Sequence, residues 1–180
     1  MITIMLDEFW QLSDQLPWRS RTLEAGETLF RRGDHVQQFH RVERGEVRLI
    51  RYRHSGGSVV LQAALSGAAL AEASLFAGTY HCDAIASEAS ATMSVSVGSF
   101  REFLASNAQA NEQWMSHLGR SAQEARFRAE MLSMKKVDER LDAWLDWKQA
   151  PLPERGAWRA LADEIGVTPE ALYRTLAKRR

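Results

Sequence analysis

The sequence predicts an α+β protein in which a domain of short β-strands precedes a long helix and a C-terminal helix-turn-helix. Glycines separate short apolar runs in the first part of the chain, as is typical of many short strands: Gly26, Gly33, Gly45, Gly56, Gly57, Gly67, Gly78 and Gly98. Only Gly119 lies between Gly98 and Gly156, and apolar residues recur there at helical spacing. The last stretch, from Trp158 to Arg180, has the pattern of two short helices joined by a glycine turn.

The composition is that of a globular protein, with 180 residues, 45% of them hydrophobic, and a formal net charge of zero. A zero total does not exclude nucleic acid, because a local basic cluster such as Lys178-Arg179-Arg180 creates its own field. The single cysteine, Cys82, allows no internal disulfide and favours a reducing compartment. The chain does not start with a signal peptide, and no apolar run reaches the ~20 residues of a membrane helix. We therefore expect a cytoplasmic protein.

The first elements are a short helix and a series of strands. Met5, Phe9, Leu12 and Leu16 lie at helical spacing, and Pro17 ends that helix. From residue 21 to about residue 100, short apolar runs alternate with glycine, and Val47–Tyr52 shows the side-to-side alternation of a strand. The segment 54–58 has the composition of a hairpin turn. Many short strands predict a β-sandwich or barrel over residues 1–109.

A long helix is predicted at 110–134, and one of its faces follows a heptad spacing. We call it the heptad face; its residues are Met115, Leu118, Ala122, Ala125, Ala129 and Leu132. The central alanines would let two helices approach closely, so we favour dimerisation through this face. The alternative is that the face packs on the chain's own β domain. A further helix at 137–148 begins a third region, residues 135–180.

The C-terminal pair of helices shows the signals of a tight turn. Leu161 and Ile165 of the first helix face two leucines, Leu172 and Leu176, of the second. Gly166 permits the left-handed backbone of a sharp turn, and Ala162 and Val167 suit the crossing and the turn. Thr168 is a good N-cap, and Pro169 suits the first helical position.

Two exposed residues of the second helix have the chemistry of base reading. Glu170 can accept from cytosine N4, and Arg174 can form a bidentate pair with guanine O6 and N7. They lie one turn apart on the same face. The alternative is an ordinary helical hairpin in which the two side chains form a solvated ion pair. Thr168, Lys178, Arg179 and Arg180 are the candidates for phosphate contacts.

The ordered set of motifs resembles the family of the cyclic AMP receptor protein and the fumarate-nitrate reduction regulator, the Crp/Fnr family, from about residue 20 to the end. The matching runs at the front are Gly26-Glu27-Thr28-Leu29-Phe30, Gly33-Asp34, Phe39-His40 and Gly45-Glu46-Val47-Arg48-Leu49. The resemblance implies a cyclic-nucleotide-binding-like β-roll (a jelly roll), a dimerisation helix and a DNA-binding helix-turn-helix.

The resemblance also implies roles for individual residues of the second helix. Glu170 and Arg174 match the family's base-reading pair, and Tyr173 would contact a thymine methyl group or a phosphate. Pro169 stands where the cyclic AMP receptor protein has a base-contacting Arg, so the operator preference should differ. Relatives usually continue into a two-stranded wing that touches phosphate, whereas this sequence ends at Arg180. We therefore expect specific base reading with weaker affinity.

The effector pocket that the resemblance implies has lost its phosphate ligands. The family uses a Gly-Glu-Leu run and, ten residues on, an Arg-Ser pair for the cyclic phosphate. Here the first run is Ala71-Glu72-Ala73, so Glu72 survives, but Cys82 and Asp83 replace the pair. A carboxylate at the phosphate position would repel the ligand. We predict that the chain binds neither cyclic AMP nor cyclic GMP.

Other kinds of site are alternatives to a cyclic nucleotide pocket. A metal site needs three or four converging ligands, and an iron–sulfur cluster needs several cysteines. A redox-sensing thiol at Cys82 is one alternative, and a haem bound through one histidine (His35, His40, His54, His81 or His117) is another. We favour Cys82 as a small buried apolar residue and expect no metal and no cofactor.

Together these features predict a homodimeric transcription regulator whose two recognition helices enter successive major grooves, about 34 Å apart, at a near-palindromic site. Its partners would be double-stranded DNA, a second copy of the chain and RNA polymerase, and its effector is unknown. No acid–base or nucleophile constellation predicts an enzyme. The alternative is a sensor or interaction protein of the same fold whose terminal helices form a docking surface.

Overall fold

The computed structural model of the chain describes residues 2–52 and 56–179. His54, with part of the predicted turn at 54–58, and Arg180 lie outside the described residues, as does the side chain of Met5. The chain divides into two compact units, residues 1–118 and residues 119–180. Over the described residues, no helix is long and apolar enough to cross a membrane.

The first unit contains a sandwich of two antiparallel sheets. After helix α1 (Ile2–Ser13) come its strands: β1 (Arg19–Leu23), β2 (Thr28–Phe30), β3 (Gln38–Arg44), β4 (Glu46–Tyr52), β5 (Ser58–Leu65), β6 (Ala69–Leu70), β7 (Asp83–Ala86) and β8 (Ser90–Ser96). One sheet has the order β1-β8-β3-β6 and the other β2-β7-β4-β5. The β-sandwich predicted from the glycine spacing is therefore confirmed.

The inner faces of the two sheets form one apolar core. Val42 of the first sheet and Val47 of the second are almost fully buried in it. Gly45 makes the turn between β3 and β4 with a φ of +81°, a conformation that favours glycine. A Cβ atom there would also collide with Ser90, so the turn requires glycine on both counts.

A second cluster in the first unit is largely aromatic. Phe9 and Trp10 of α1 pack with Phe39, with Phe100 of α2 (Val97–Ser106), and with Trp114. Trp114 lies in the first part of α3 (Ala108–Ser133), the long helix that crosses the boundary between the two units. The rings of Phe39 and Phe100 stack with centroids 4.0 Å apart. This cluster holds α1, the predicted amphipathic helix, by its apolar face.

The second unit is helical and has its own core. It contains the end of α3 followed by α4 (Val137–Lys148), α5 (Trp158–Glu164) and α6 (Pro169–Lys178). The buried residues of its core are Met131, Leu141, Leu161, Ala162, Ile165, Leu172 and Leu176. The four apolar positions predicted to face one another across the terminal helices are thus confirmed as buried neighbours.

Candidate nucleic-acid interface

Helix α6 begins as its sequence predicts. Thr168 has an extended backbone, and its Oγ1 accepts a hydrogen bond from the Ala171 N–H at 3.2 Å, which satisfies one of the free amides of the first turn. Pro169 occupies the first helical position. Glu170 lies in the first turn and Lys178 in the last, so each charge complements the helix dipole.

The turn before α6 is tight and closed by backbone contacts. Gly166 has a φ of +66°, and the Val167 N–H donates to the Ala162 carbonyl at 2.9 Å. Leu172 and Leu176 are buried below the turn. The predicted left-handed glycine is confirmed, and α6 is held against α5 by buried apolar side chains.

The outer face of α6 presents the predicted base-reading pair. With about 100° of rotation per residue, Glu170, Arg174 and Ala177 lie roughly opposite the buried leucines. All three are exposed. Across the described residues, the structure records no ion pair between Glu170 and Arg174. The solvated ion pair considered as an alternative is therefore not formed, and both side chains face solvent.

Tyr173 lies at the side of this face. Its ring centroid is 5.6 Å from that of Trp158, the first residue of α5, and the side chain is 41% exposed. The indole N–H of Trp158 donates to the Pro153 carbonyl at 2.9 Å. Tyr173 thus packs against α5 and is partly exposed to solvent.

The predicted phosphate contacts are in different environments. Thr168 and Lys178 are exposed. Arg179 instead donates from Nη1 to Asp142 Oδ1 at 2.6 Å and from Nη2 to the Asp138 carbonyl at 3.1 Å. These bonds tie the end of α6 to α4 within the second unit, so the Arg179 guanidinium already has partners.

The heptad face of α3 is mostly exposed in the single chain. Met115 is 58% exposed, and the three alanines, Ala122, Ala125 and Ala129, are exposed as well. The two leucines differ from the rest. Leu118 packs at the border of the aromatic cluster, and Leu132 lies beside Gly166, where an added Cβ would be 2.5 Å from Leu132 Cδ2.

One residue that no sequence pattern indicates organises the second unit. Arg140 of α4 donates four hydrogen bonds to backbone carbonyls: to Leu132 at 3.0 Å, Met134 at 2.9 Å, Ile165 at 3.2 Å and Gly166 at 2.9 Å. The sequence pattern of an amphipathic helix predicts only that such an arginine is a charge exposed to solvent. No local signal in the sequence identifies its carbonyl partners.

The residues proposed for an effector pocket lie in different local environments. Glu72 begins a 3-10 turn (Glu72–Ser74) that follows Ala71, whose φ of 51° favours glycine. Cys82 is completely buried in the sandwich core. Asp83 Oδ1 accepts from the backbone N–H of Arg32 at 2.6 Å. Burial raises the pKa of the Cys82 thiol, and nearby Arg51 offsets part of that effect. A raised pKa disfavours the reactive thiolate, as expected of a buried apolar cysteine.

The described histidines are scattered. His40 is buried beside Phe30, with ring centroids 5.6 Å apart, and burial, followed by the charge of Arg21, lowers its pKa to about 4. His81 is exposed, and its Nδ1 lies 3.3 Å from Ser74 Oγ. The other two are the exposed His35 and the half-buried His117. In the part of the chain that the structure describes, no group of three or more His, Cys, Asp or Glu side chains could hold a metal ion.

The first unit is similar to a known domain family. Residues 20–107 match the cyclic nucleotide-binding domain, which covers the sandwich and α2. Over this range the chain is therefore similar to a cyclic nucleotide-binding domain. No curated protein sequence matches the chain.

Solved structures of bacterial regulators share the fold. FixK2 from Bradyrhizobium japonicum superposes with a TM-score of 0.70 at 18% identity, over 91% of this chain and 84% of that protein. The c-di-GMP responsive global regulator CLP from Xanthomonas campestris gives 0.63 at 19% identity, over 96% and 89%. The catabolite activator protein of Thermus thermophilus gives 0.56 at 19% identity, over 97% and 82%. These structural neighbours are Crp/Fnr-type transcription regulators, and at such identities the likeness concerns the fold.

Proposed function

We propose that this chain is a Crp/Fnr-type transcription regulator that binds a near-palindromic DNA site as a homodimer. In this proposal α5 and α6 form a helix-turn-helix, and α6 enters the major groove. Its partners are double-stranded DNA, a second copy of the chain and RNA polymerase. The observation that carries the proposal is the outer face of α6, where Glu170 and Arg174 are exposed and not paired with each other.

The chemistry of that face fits base pairs. An arginine can form two parallel hydrogen bonds with guanine, and a glutamate can accept from cytosine, so the pair can read two neighbouring positions. The scaffold beneath is rigid, because Leu172 and Leu176 are buried and Thr168 caps the helix. A rigid scaffold is needed since base readout depends on side chains held in a fixed geometry.

The exposed part of the heptad face supports the homodimer. It places one methionine and three alanines on the surface of a long helix at heptad spacing, and small residues at such a surface allow close approach of a second helix.

Ala125→Glu should dissociate the dimer, because it brings two carboxylates into the interface. Gln123→Glu adds the same charge to an exposed position beside the face and should leave the dimer intact. Analytical ultracentrifugation measures both, and a monomeric unaltered chain would contradict the proposal.

DNA binding is tested by selecting an operator from a random duplex library with the whole chain. Fluorescence anisotropy then compares the selected operator with random DNA. Arg174→Ala should cost about 1–3 kcal/mol on the operator, and Arg174→Lys should show a similar loss, because it keeps the charge but not the fork. Lys178→Gln should weaken binding to both DNAs alike.

Arg126→Gln is the matched control, since it removes a positive charge from an exposed position of α3. It should leave operator preference unchanged. Equal losses on operator and random DNA for Arg174→Lys would contradict base reading. Phosphate contacts are strongest at low salt. If the unaltered chain binds no DNA even there, the result favours the alternative, a sensor or interaction protein whose terminal helices form a docking surface.

We further propose that the first unit does not bind cyclic nucleotides. Cys82 turns into the core, and Asp83 places a carboxylate where the family has a phosphate-binding hydroxyl. That carboxylate is bound to the Arg32 amide, and it would repel a phosphate. Isothermal titration with cyclic AMP and cyclic GMP should show no binding, and micromolar affinity for either would refute this.

A further inference from the structure

We propose that Arg140 is a positioning residue that joins the end of α3 to the turn before α6 and so sets the direction in which α6 faces. The joint itself follows from contacts within the second unit. Its consequence for DNA rests on the proposed function.

The four bonds of Arg140 go to the ends of two helices. The carbonyls of Leu132 and Met134 lie at the end of α3, and those of Ile165 and Gly166 directly follow α5. The last carbonyls of a helix lack partners inside the helix and carry the negative end of its dipole. One guanidinium therefore caps two helix ends at once.

The geometry requires an arginine. Nη1 reaches both carbonyls after α5, at 3.2 Å and 2.9 Å, while Nε and Nη2 reach the two at the end of α3, at 2.9 Å and 3.0 Å. A guanidinium presents its N–H groups in a rigid planar fork, so bonds on one side fix the direction of bonds on the other. A lysine ammonium at the same position could satisfy one side but could not hold both.

Apolar packing reinforces the same joint. The side chain of Leu132, on α3, lies against Gly166, as shown by the 2.5 Å that would separate its Cδ2 from an added Cβ. Arg140 Nη1 would be 3.4 Å from that same Cβ. The turn before α6, which begins at Pro169 three residues after Gly166, is thus held between an α3 side chain and an α4 cation. A change in the direction of the α3 end therefore reaches the turn before α6 directly through these contacts.

The first test measures orientation within the second unit. Spin labels at Gln123→Cys on α3 and Ala177→Cys on α6, in a Cys82→Ala chain diluted with unlabelled protein, report the distance between the helices. Arg126→Gln should keep the narrow distance distribution of the parent. Arg140→Gln and Arg140→Lys should broaden or shift it while circular dichroism shows the helices intact. An unchanged distribution in folded Arg140 variants would overturn the proposal; if Arg140→Gln does not fold, Arg140→Lys decides.

The second test uses the selected operator. Arg140→Lys should lower operator affinity about tenfold and random-DNA affinity by less than about twofold, because it keeps the charge and disturbs the aim of the base-reading side chains. A residue that only stabilises the unit would lower the melting temperature without changing the affinity of the folded fraction, and that result would overturn the proposal. If the unaltered chain binds no DNA, the proposed function fails, while the distance measurement still decides on the joint.

Discussion

Replacing Gly166 with alanine tests how the second unit holds the turn before α6. Two separate costs are expected. The φ of +66° is a left-handed conformation, and a side chain there costs about 1 kcal/mol or somewhat more. The new Cβ would also lie 2.5 Å from Leu132 Cδ2, so the leucine must move.

The size of the second cost follows from the surroundings of Leu132. The residue is 38% exposed, so its side chain can turn toward solvent and would lose the burial it now has. Full burial of a leucine is worth about 1.5–3 kcal/mol, which makes the partial loss about 1 kcal/mol. Gly166→Ala should therefore destabilise the second unit by roughly 2 kcal/mol, and by only about 1 kcal/mol in a Leu132→Ala chain.

Native-state hydrogen exchange measures this directly. The Leu172 amide donates to the Thr168 carbonyl at 3.1 Å, and its protection reports the opening free energy of the second unit. The double-mutant cycle of Gly166→Ala and Leu132→Ala should give a coupling of about 1 kcal/mol. If Gly166→Ala has the same effect in both backgrounds, Leu132 does not press on the turn. A cost below about 0.5 kcal/mol would show that the turn does not need a left-handed residue.

Two further predictions concern the first unit. His40 has no hydrogen-bond partner for its Nδ1 among the described residues, and its pKa of about 4 lies below the ordinary value of 6.5, so the unfolded chain binds more protons between these values. The contribution of neutral His40 to the free energy of unfolding should be complete above pH 6.5 and should be lost, by roughly 2–3 kcal/mol, as the pH falls toward 4. Urea unfolding of the unaltered chain and of His40→Phe at pH 7 and pH 4.5 measures this loss. An equal loss of stability at pH 4.5 in both proteins would contradict the prediction. Cys82 is buried and its thiol pKa is raised, so a thiol reagent should modify it only as fast as the first unit unfolds in denaturant. Rapid modification of the native protein would instead support a redox role.

Local sequence signals predicted much of the fold. Val47–Tyr52 alternates in sequence and forms β4, and the Thr168-Pro169 pair starts α6 as an N-cap should. The short strands β1 and β6 were not predicted. Of the five residues of β1, only Leu23 is buried, so there is no alternation to read, and β6 has two residues. Such strands exist because their neighbours supply hydrogen-bond partners, as β8 does for β1 along its whole length.

The sequence by itself determined the elements whose causes are local: caps, turns, helical spacing and the exposed placement of Glu170 and Arg174 one turn apart. The tertiary structure decided which of the named side chains already have partners. In it, Arg179 pairs with Asp142, Cys82 is buried, and Leu132 lies against Gly166. It alone revealed Arg140, whose carbonyl partners lie up to 26 residues away along the chain. A spacing rule describes neighbours on one helix, whereas a guanidinium that caps two helices depends on where separate segments meet, and packing of the whole unit settles that.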